Sequence, residues 1–189
     1  MQYEVFDDMK QCTQERVESL LQLVPEFRRA YALKYKHVFG QFCALQSWYL
    51  LEQLLNERLK TKDQRPNTIH HTPEGKPQFV GGPEFSISHC KEAIAVAVDE
   101  HPIGIDVESI RKVSSSLMEY TMNEQECAFI RSSAEPDRAF IRLWTQKEAY
   151  LKYLGTGISN DMRDVLSQVD CSHFIIEDHS SYILSLYHE

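Results

Sequence analysis

Apolar residues recur along the chain with two periods, one typical of helices and one typical of strands. Between residues 34 and 59 they recur at steps of four, three and four, at Val38, Phe42, Leu45 and Tyr49. A repeat of three to four residues places such side chains on one face of a helix. We therefore predict an amphipathic helix over this segment, with one side buried.

Shorter segments predict strands. Residues 85–88 alternate between apolar and polar, and residues 93–98 form a continuous run of small or β-branched residues. We predict that these two segments pair and that the second is well buried. Turn residues punctuate residues 66–83, so any strands there are brief. Residues 173–177 and 182–187 alternate well enough to predict two terminal strands.

Two further helices are predicted in the second half of the chain. Residues 121–124 fit a capping box with Thr121 as the cap and Glu124 at the third helical position, so a helix should follow. Another helix should begin after Pro136 and end at a left-handed cap on Gly155. Its predicted buried stripe consists of Phe140, Leu143, Trp144, Lys147, Leu151 and Leu154, with only the aliphatic stem of Lys147 packed.

The order of these segments lacks the regular alternation of a doubly wound sheet, so the predicted fold class is α+β. The chain has 189 residues, of which 42% are hydrophobic and 25% are charged. These proportions are ordinary for a globular protein and argue against wholesale disorder.

The charge balance limits the partners of the protein. The formal net charge is -8 at pH 7, whereas nucleic acids and anionic membranes are bound through clustered Lys and Arg. We therefore predict no nucleic-acid binding and no membrane binding. An anionic ligand would need a local basic patch, and one is available at Arg28, Arg29, Lys34, Lys36, His37, Lys76, His89 and Lys91.

The cysteines and the N-terminal residues bear on location. The five cysteines are scattered, odd in number and without paired Cys-x-x-Cys spacing, which is typical of a reduced cytoplasmic protein. Residues 1–10 lack the basic start and apolar core of a signal peptide. No apolar run is long enough to predict a membrane-spanning helix.

Two acidic motifs carry the candidate chemistry. In the first, GIDVE, the alternation lets Asp106 and Glu108 point the same way from an extended backbone. In the second, WTQKEAYLK, Glu148 and Lys152 lie four residues apart and share one helix face. Three convergent carboxylates suit Mg²⁺, a hard cation that takes carboxylate oxygens together with substrate phosphates.

Each of these pairs also has an ordinary structural explanation. Asp106 and Glu108 fit solvent-facing acids on a half-buried strand, and Glu before Lys at this spacing favours a surface ion pair worth roughly 0.2 to 0.5 kcal/mol. Gly104 favours the ligand interpretation, because a residue without a side chain lets a ligand or another backbone come close. Lys147 points roughly 100° away from Glu148, so a packing or hinge role and a ligand contact remain alternatives.

Other kinds of site are not favoured. The adjacent pairs His70-His71 and His89-Cys90 do not fit the usual spacing of zinc ligands. The chain also has no Gly-x-Ser-x-Gly elbow, no P-loop and no dinucleotide-binding glycine motif.

The ordered set of motifs resembles that of the 4′-phosphopantetheinyl transferases, of the larger type related to the surfactin-synthetase-activating enzyme. That type has a Gly-Ile-Asp-Val/Ile-Glu strand and a later Trp-Ser/Thr-x-Lys-Glu-Ala/Ser-x-x-Lys helix, and both stand here in that order. Three weaker blocks also match, at residues 75–77, 85–89 and 155–157. The resemblance covers most of residues 28–160.

This resemblance implies a 4′-phosphopantetheinyl transferase fold, a pseudo-dimer of two similar α+β halves with the active site in the cleft between them. Residues 1–100 would form the coenzyme A-binding half, and residues 101–189 would carry the metal site and the catalytic helix. The implied reaction moves 4′-phosphopantetheine from coenzyme A to a serine of an acyl or peptidyl carrier protein and releases adenosine 3′,5′-bisphosphate. An internal pseudo-dimer would make a monomer sufficient.

The resemblance also implies roles for individual residues. Mg²⁺, with Mn²⁺ as an alternative, would be held by Asp106, Glu108 and Glu148. In the implied catalytic set of Asp106, Glu148 and Lys152, Glu148 accepts the proton of the nucleophile, directly or through a bound water, and Lys152 neutralises the transferring phosphate. The implied coenzyme A contacts are Lys36, Lys76, Pro77, Ser88, His89 and Lys152.

Two other functions stay open. One is a non-catalytic family member that binds coenzyme A or a carrier protein, and the other is an unrelated Mg²⁺-dependent phosphohydrolase. The intact trio of acids argues against the first and the ordered flanking blocks against the second. For the carrier protein, the predicted docking surface is the segment around Tyr120, Met122 and Phe129. The chain is short for the larger type and has Lys36 where arginine is commoner, which bears on affinity and carrier preference.

Overall fold

The computed structural model describes residues 1–58, 69–157 and 162–189, and these residues form a mixed α+β fold, which confirms the predicted class. The helices are α1 (Gln14–Leu23), α2 (Glu26–Ala32), α3 (Val38–Arg58), α4 (Ser115–Thr121), α5 (Glu124–Ser132) and α6 (Pro136–Leu154). The strands are β1 (Gln2–Phe6), β2 (Ile69–His71), β3 (Pro77–Phe79), β4 (Glu84–His89), β5 (Ile94–Asp99), β6 (Ile103–Ser109), β7 (Phe174–Asp178) and β8 (Tyr182–His188). The end of the first predicted helix at residue 59 and the start of the turn-rich segment at residues 66–68 lie outside the described residues.

The described strands form two three-stranded antiparallel sheets and one short hairpin. The first sheet has the order β1-β5-β4, the second has the order β6-β8-β7, and β2 pairs with β3. The predicted pairing of β4 with β5 is confirmed, with Phe85 opposite Val98. The predicted terminal strands are confirmed as β7 and β8, and β8 is the central strand of the second sheet.

Strand β5 is buried on both faces because its two faces meet different cores. Ile94, Val96 and Val98 enter the core beneath α3, together with residues of α1. Ala95 and Ala97 face the other way, into the core that contains the apolar residues of β6 and β8. The continuous apolar run in the sequence therefore predicted correctly that this strand is well buried.

Helix α3 differs from its prediction because it is buried on more than one side. Every residue from Phe42 to Trp48 is buried, including the polar Gln46 and Ser47. The helix packs against α1 and α2 and also against β5. The prediction of one buried side was wrong, since a helix covered by neighbours all round is an interior helix. Within the described ranges, no helix is both long enough and apolar enough to cross a membrane.

The predicted capping box lies two residues further along the chain. Thr121 is the last residue of α4, and its hydroxyl donates to the Leu117 carbonyl (2.8 Å). Asn123 is the actual cap of α5: its side chain accepts from the Glu126 N–H (2.9 Å), and Glu126 Oε2 accepts from the Asn123 N–H (2.9 Å). The prediction of Thr121 as cap was wrong, because α4 already occupies that residue, whereas the helix that follows is confirmed.

Helix α6 follows its prediction closely along its length. It begins at Pro136 and ends at Leu154, and Gly155, with a φ of 73°, is the predicted left-handed cap. Phe140 and Leu151 are buried as expected, but Leu154 is exposed, so the predicted stripe extends one turn too far. The expectation for Lys147 was also wrong, because its ammonium is buried along with its stem.

Strand β6 and helix α6 touch backbone to backbone at Gly104. A Cβ atom added at Gly104 would lie 1.9 Å from the Ala149 carbonyl oxygen and 2.5 Å from the Tyr153 nitrogen. Gly104 therefore allows the close approach of the helix backbone, and not of a ligand. A second contact fixes the helix over β8, where the Thr145 and Ser185 hydroxyls lie 2.8 Å apart.

We expect Gly104→Ala to lower the free energy of unfolding by at least about 3 kcal/mol, because neither backbone can give way without shifting the helix from the sheet. Chemical denaturation checks this value. Gly81→Ala is the matched control, since Gly81 has a φ of 69° but, its chain neighbours aside, no atom of the described residues lies within 4 Å of an added Cβ. Its cost should be about 1 kcal/mol, from backbone strain alone. Equal losses in the two variants would contradict the close packing.

Candidate active site

The two acidic motifs meet at the Asp106 carboxylate, which is buried between β4, β6 and α6. Asp106 Oδ1 accepts from Lys152 Nζ (2.7 Å) and from Ser88 Oγ (2.8 Å). Lys152 Nζ also donates to the Ile105 carbonyl (3.1 Å). Lys152 of α6 is thus paired with the acid of the strand motif, and the alternative of a surface pair with Glu148 is not the arrangement found.

Two buried carboxylate oxygens beside this ion pair have no hydrogen-bond partner among the described residues. They are Asp106 Oδ2 and Glu148 Oε1. Buried polar atoms are almost always hydrogen-bonded, and unpaired ones are costly. Oxygens of this kind suit a hard cation, so these two atoms fit a divalent metal ion.

The acids also destabilise one another's charged forms. Burial, and next the Asp106 carboxylate, raise the pKa of Glu148 to about 7, with Glu108 adding to the rise and Lys152 opposing it. Burial and then Asp106 raise the pKa of Glu108 as well, while Arg111 and Lys152 oppose the rise. The site therefore has more negative charge than its own cations neutralise, and a bound cation would relieve the imbalance.

The described carboxylates do not form a complete metal-coordination site. Across the ranges that the structure describes, no three His, Cys, Asp or Glu side chains are assembled to hold an ion. Lys152 is bonded to Oδ1 of Asp106. Among the described residues, Asp106 Oδ2 and Glu148 Oε1 have no hydrogen-bond partner and could bind a metal ion. Such an arrangement suits Mg²⁺, which is usually held by one or two carboxylates together with water and substrate phosphates.

A large cavity of about 610 Å³ is lined by residues of α2, α3 and β4. A smaller cavity of about 230 Å³ adjoins it and is lined in part by Lys152, Gly155 and Gly157. Both cavities share Pro77 and Phe85 among their lining residues. A long ligand that filled the large cavity would therefore reach Lys152 through the small one.

The predicted coenzyme A contacts fall at different places around these cavities. Pro77 lines both cavities, Lys76 lines the small one and His89 lines the large one. Ser88 points to the opposite face of β4, where it binds Asp106. Lys36 is exposed and is not part of the described lining, which contains Lys34 instead.

His89 and Lys76 are already influenced by neighbouring charges. Partial burial, and next the charge of Lys152, lower the pKa of His89, so the ring is mainly neutral near pH 7. Lys76 Nζ lies 3.4 Å from Glu84 Oε2 and 3.4 Å from the Tyr153 carbonyl at the end of α6. Lys76 therefore joins the turn before β3 to the end of the helix that carries Glu148.

Sequence reasoning missed the aromatic character of the large cavity. The Arg28 guanidinium lies over the rings of Tyr31 (4.6 Å) and Trp48 (5.2 Å) and donates to the Ala44 carbonyl (3.0 and 3.1 Å). Burial lowers the pKa of Arg28. Aromatic faces beside a cation suit a planar ligand that also carries negative charge. Arg28 and Lys34 belonged to the basic patch of the sequence, but nothing in the sequence distinguished Trp48 from an ordinary core residue.

Two of the three predicted docking residues are exposed and one is not. Tyr120 is 60% exposed and Phe129 is also at the surface. Met122 is only 2% exposed, because it follows the end of α4 and enters the core shared with Ile130 and Phe140. The prediction that Met122 belongs to a docking surface was therefore wrong.

Comparisons with known proteins show which proteins this chain resembles. Residues 102–188 match the sequence model of the 4′-phosphopantetheinyl transferase superfamily. The 4′-phosphopantetheinyl transferase gsp of Aneurinibacillus migulanus is 30% identical over 129 residues, and psf-1 of Bacillus pumilus is 26% identical over 164 residues. The 4′-phosphopantetheinyl transferase Sfp of Bacillus subtilis (strain 168) is 26% identical over 153 residues.

These matches cover most of the chain but less of the relatives. The alignments span 67%, 84% and 78% of this chain, in the same order. They span 54%, 69% and 67% of the relatives, so the chain corresponds to between about half and about two thirds of their length.

The raised pKa of Glu148 predicts a pH dependence of stability in metal-free protein. The group is protonated more strongly in the folded state (pKa about 7) than in the unfolded state, where the ordinary value is 4.5. Stability therefore falls as the pH rises through this window. Glu148→Gln removes the penalty, so above pH 7 it should be more stable than the unmutated protein by on the order of 2 kcal/mol. The two proteins should converge near pH 4.

Urea unfolding at a series of pH values, with a chelator present, checks this expectation. Glu119→Gln is the control, because Glu119 is an exposed acid and its variant should follow the unmutated protein. Parallel stability curves for Glu148→Gln and the unmutated protein between pH 4 and pH 8 would contradict it.

Proposed function

We propose that the chain, which belongs to the 4′-phosphopantetheinyl transferase superfamily, transfers 4′-phosphopantetheine from coenzyme A to a serine hydroxyl of a carrier protein. The second product is adenosine 3′,5′-bisphosphate. The observation that carries this proposal is a pair of buried acids beside Lys152, each with an oxygen that has no hydrogen-bond partner in the described part of the chain. Lys152 lines the small cavity, which shares lining residues with the large aromatic and basic one. This arrangement combines a place for a divalent cation with a place for a nucleotide.

Mg²⁺ is the proposed metal, with Mn²⁺ as an alternative, and Asp106, Glu108 and Glu148 are its proposed ligands. When bound, the ion would neutralise charge on the pyrophosphate of coenzyme A. This assignment is supported by the oxygens of Asp106 and Glu148 that have no partner among the residues the structure describes. The half-buried Glu108 follows on the same face of β6, and its pKa responds to Asp106.

Coenzyme A is proposed to lie with its nucleotide in the large cavity and its pyrophosphate near Lys152. Tyr31 and Trp48 offer rings for the adenine, and Pro77 lies between the two cavities. Lys34 and His89 are proposed to meet the 3′-phosphate, with Lys34 in the role expected for Lys36. Ser88 acts indirectly in this proposal, since it orients Asp106.

The residues of α6 supply the proposed proton transfer and charge compensation. The Glu148 carboxylate is proposed to accept the proton of the serine hydroxyl, directly or through a water. Lys152 offsets negative charge on the transferring phosphate and leaves Asp106 when it does so. Both groups are held on a helix that cannot move away from β6 without disturbing the contact at Gly104.

The division of the chain is also a proposal. Residues 1–100 and 101–189 would form two similar halves, each with a three-stranded antiparallel sheet and one long helix, α3 or α6. The site would then lie in the cleft between them, where the Ile105 N–H donates to Ser86 Oγ (3.0 Å). A monomer suffices for such a site. The five free cysteines support a reducing compartment such as the cytoplasm.

Acceptor docking is proposed at the exposed face of α4 and α5 that carries Tyr120 and Phe129. Both side chains are large and apolar, and aromatic residues often anchor protein interfaces. The carrier proteins implied by the family are acidic, like this chain with its net charge of -8. Local apolar contact would therefore have to outweigh general repulsion.

Intact mass spectrometry of an apo carrier protein, incubated with coenzyme A and Mg²⁺, tests the proposed reaction. We expect the mass of a phosphopantetheine group to be added by the unmutated protein, and the rate to fall by at least about 100-fold in Glu148→Ala. Glu18→Ala is the control and should retain full activity, because Glu18 is an exposed acid of α1 and belongs neither to the proposed metal and coenzyme A sites nor to the proposed docking face.

Two other outcomes would replace the proposal. Binding of coenzyme A without transfer to any of several carrier classes would indicate a non-catalytic family member. Release of inorganic phosphate from nucleotides in the absence of a carrier would indicate a Mg²⁺-dependent phosphohydrolase.

Tyr120→Glu should raise the KM for the carrier protein by at least about tenfold, because it removes an aromatic contact and adds like charge. The dissociation constant of coenzyme A should stay within about twofold of the unmutated value. Val80→Glu, at another exposed apolar position, is the control for added charge. An unchanged carrier KM in Tyr120→Glu would remove the docking surface from this face.

A further inference from the structure

Lys147, the residue before Glu148, has an ammonium group that is completely enclosed, with 0% of the residue exposed. Its Nζ donates to four oxygens, those of Thr121 O (3.0 Å), Glu126 Oε2 (2.7 Å), Met162 O (2.7 Å) and Arg163 O (3.0 Å). A lysine has three N–H donors, so all of them are used and one is shared. A buried charge is tolerated only when it is compensated in this way.

The four acceptors come from three separate segments of the chain. Thr121 ends α4, Glu126 lies in the first turn of α5, and residues 162–163 come after α6 in sequence. Glu126 Oε2 also accepts from the N–H of Asn123, so the ion pair and the cap of α5 share one oxygen. Asn123 Nδ2 donates in turn to the Arg163 carbonyl (3.4 Å). One ammonium therefore fastens the junction of α4 and α5, and residues 162–163, to α6.

This fastening sets the direction of Glu148. Successive residues of a helix point about 100° apart, so a helix with Lys147 turned toward α4 and α5 turns Glu148 toward another side. On that side the helix rests against Gly104, two residues before Asp106. Tyr120 immediately precedes Thr121 and is exposed. The same turn of α6 thus connects an exposed face with the buried acids.

We propose that Lys147 is a positioning residue, which holds the α4–α5 face with Tyr120 and Phe129 at a fixed place relative to Glu148. The acceptor serine, delivered by a protein docked on that face, then arrives within reach of Glu148. This inference rests on the proposed function. Lys147 itself touches neither the substrate nor the reacting atoms, because no part of it reaches the cavity surface.

Two variants separate positioning from general stabilisation. Lys147→Met keeps the length of the side chain and removes the ammonium, while Lys147→Met with Glu126→Gln removes both charges and leaves no unpaired carboxylate. Arg142→Met is the matched control, since Arg142 lies on the same helix but forms an exposed ion pair with Asp178 (3.4 Å). Three quantities are measured: coenzyme A affinity by calorimetry, kcat and KM for the carrier protein, and backbone hydrogen exchange by mass spectrometry.

We expect kcat/KM for the carrier to fall by roughly 100-fold in both Lys147 variants, the loss typical of a misplacement of about 1 Å. Coenzyme A affinity should stay within about twofold, because the large cavity is formed by other elements. Loss of exchange protection should be confined to residues 115–132 and 162–164. Arg142→Met should match the unmutated protein in all three measurements.

Several outcomes would overturn the proposal. A folded double variant with unchanged carrier kinetics would show that the fastening does not matter for transfer. Protection lost evenly over β6 and β8, or failure of both variants to fold, would make Lys147 a general stabiliser. If the unmutated protein transfers nothing, the proposed function fails, and the exchange pattern alone then decides whether Lys147 fixes the α4–α5 face.

Discussion

The candidate site depends on one close contact, the backbone of α6 lying directly on the backbone of β6 at Gly104. A side chain at this position would occupy the space of the Ala149 carbonyl. Glu148 and Lys152 immediately precede the two residues in that contact, Ala149 and Tyr153, so their places above the strand are fixed by the packing. Asp106 lies two residues further along β6 and on the same face. The contact therefore brings the acidic motif of the strand and the acidic motif of the helix into direct contact.

Neighbouring residues of α6 show two different fates of a buried charge. Lys147 has every donor used by four oxygens, which is the arrangement expected of a structural ion. Glu148 has a buried oxygen without a hydrogen-bond partner in the described ranges, and its pKa is raised by burial and by Asp106. Unsatisfied and mutually repelling acids destabilise a fold, so their presence favours a role in ligand binding. The bonds of Lys147 stabilise the junction of α4, α5 and α6 next to these repelling acids.

Local patterns in the sequence were sufficient to predict several of the elements, but β1, α1, α2 and α4 were not predicted and neither were the contacts between elements. The alternation around Asp106, the span of α6 and its cap at Gly155 could be predicted, because each depends on residues close together in sequence. The buried ammonium of Lys147 could not be predicted, since its acceptors at Met162 and Thr121 are 15 and 26 residues away in sequence. The burial of Met122 and the interior position of α3 likewise depend on which elements cover them. The predicted position of the capping box was wrong for a local reason, because Thr121 and Asn123 both have side chains that can cap a helix.

Strand β4 links the cavity to the acids through its simple alternation. Phe85, Ile87 and His89 face the large cavity, while Ser86 and Ser88 face β6. The two serines use the short distance between the strands: one accepts from the Ile105 N–H, and the other donates to Asp106. A ligand that displaced His89 or Phe85 would thus move the strand that orients Asp106. The cavity lining and the hydrogen bond that orients the carboxylate therefore belong to one strand.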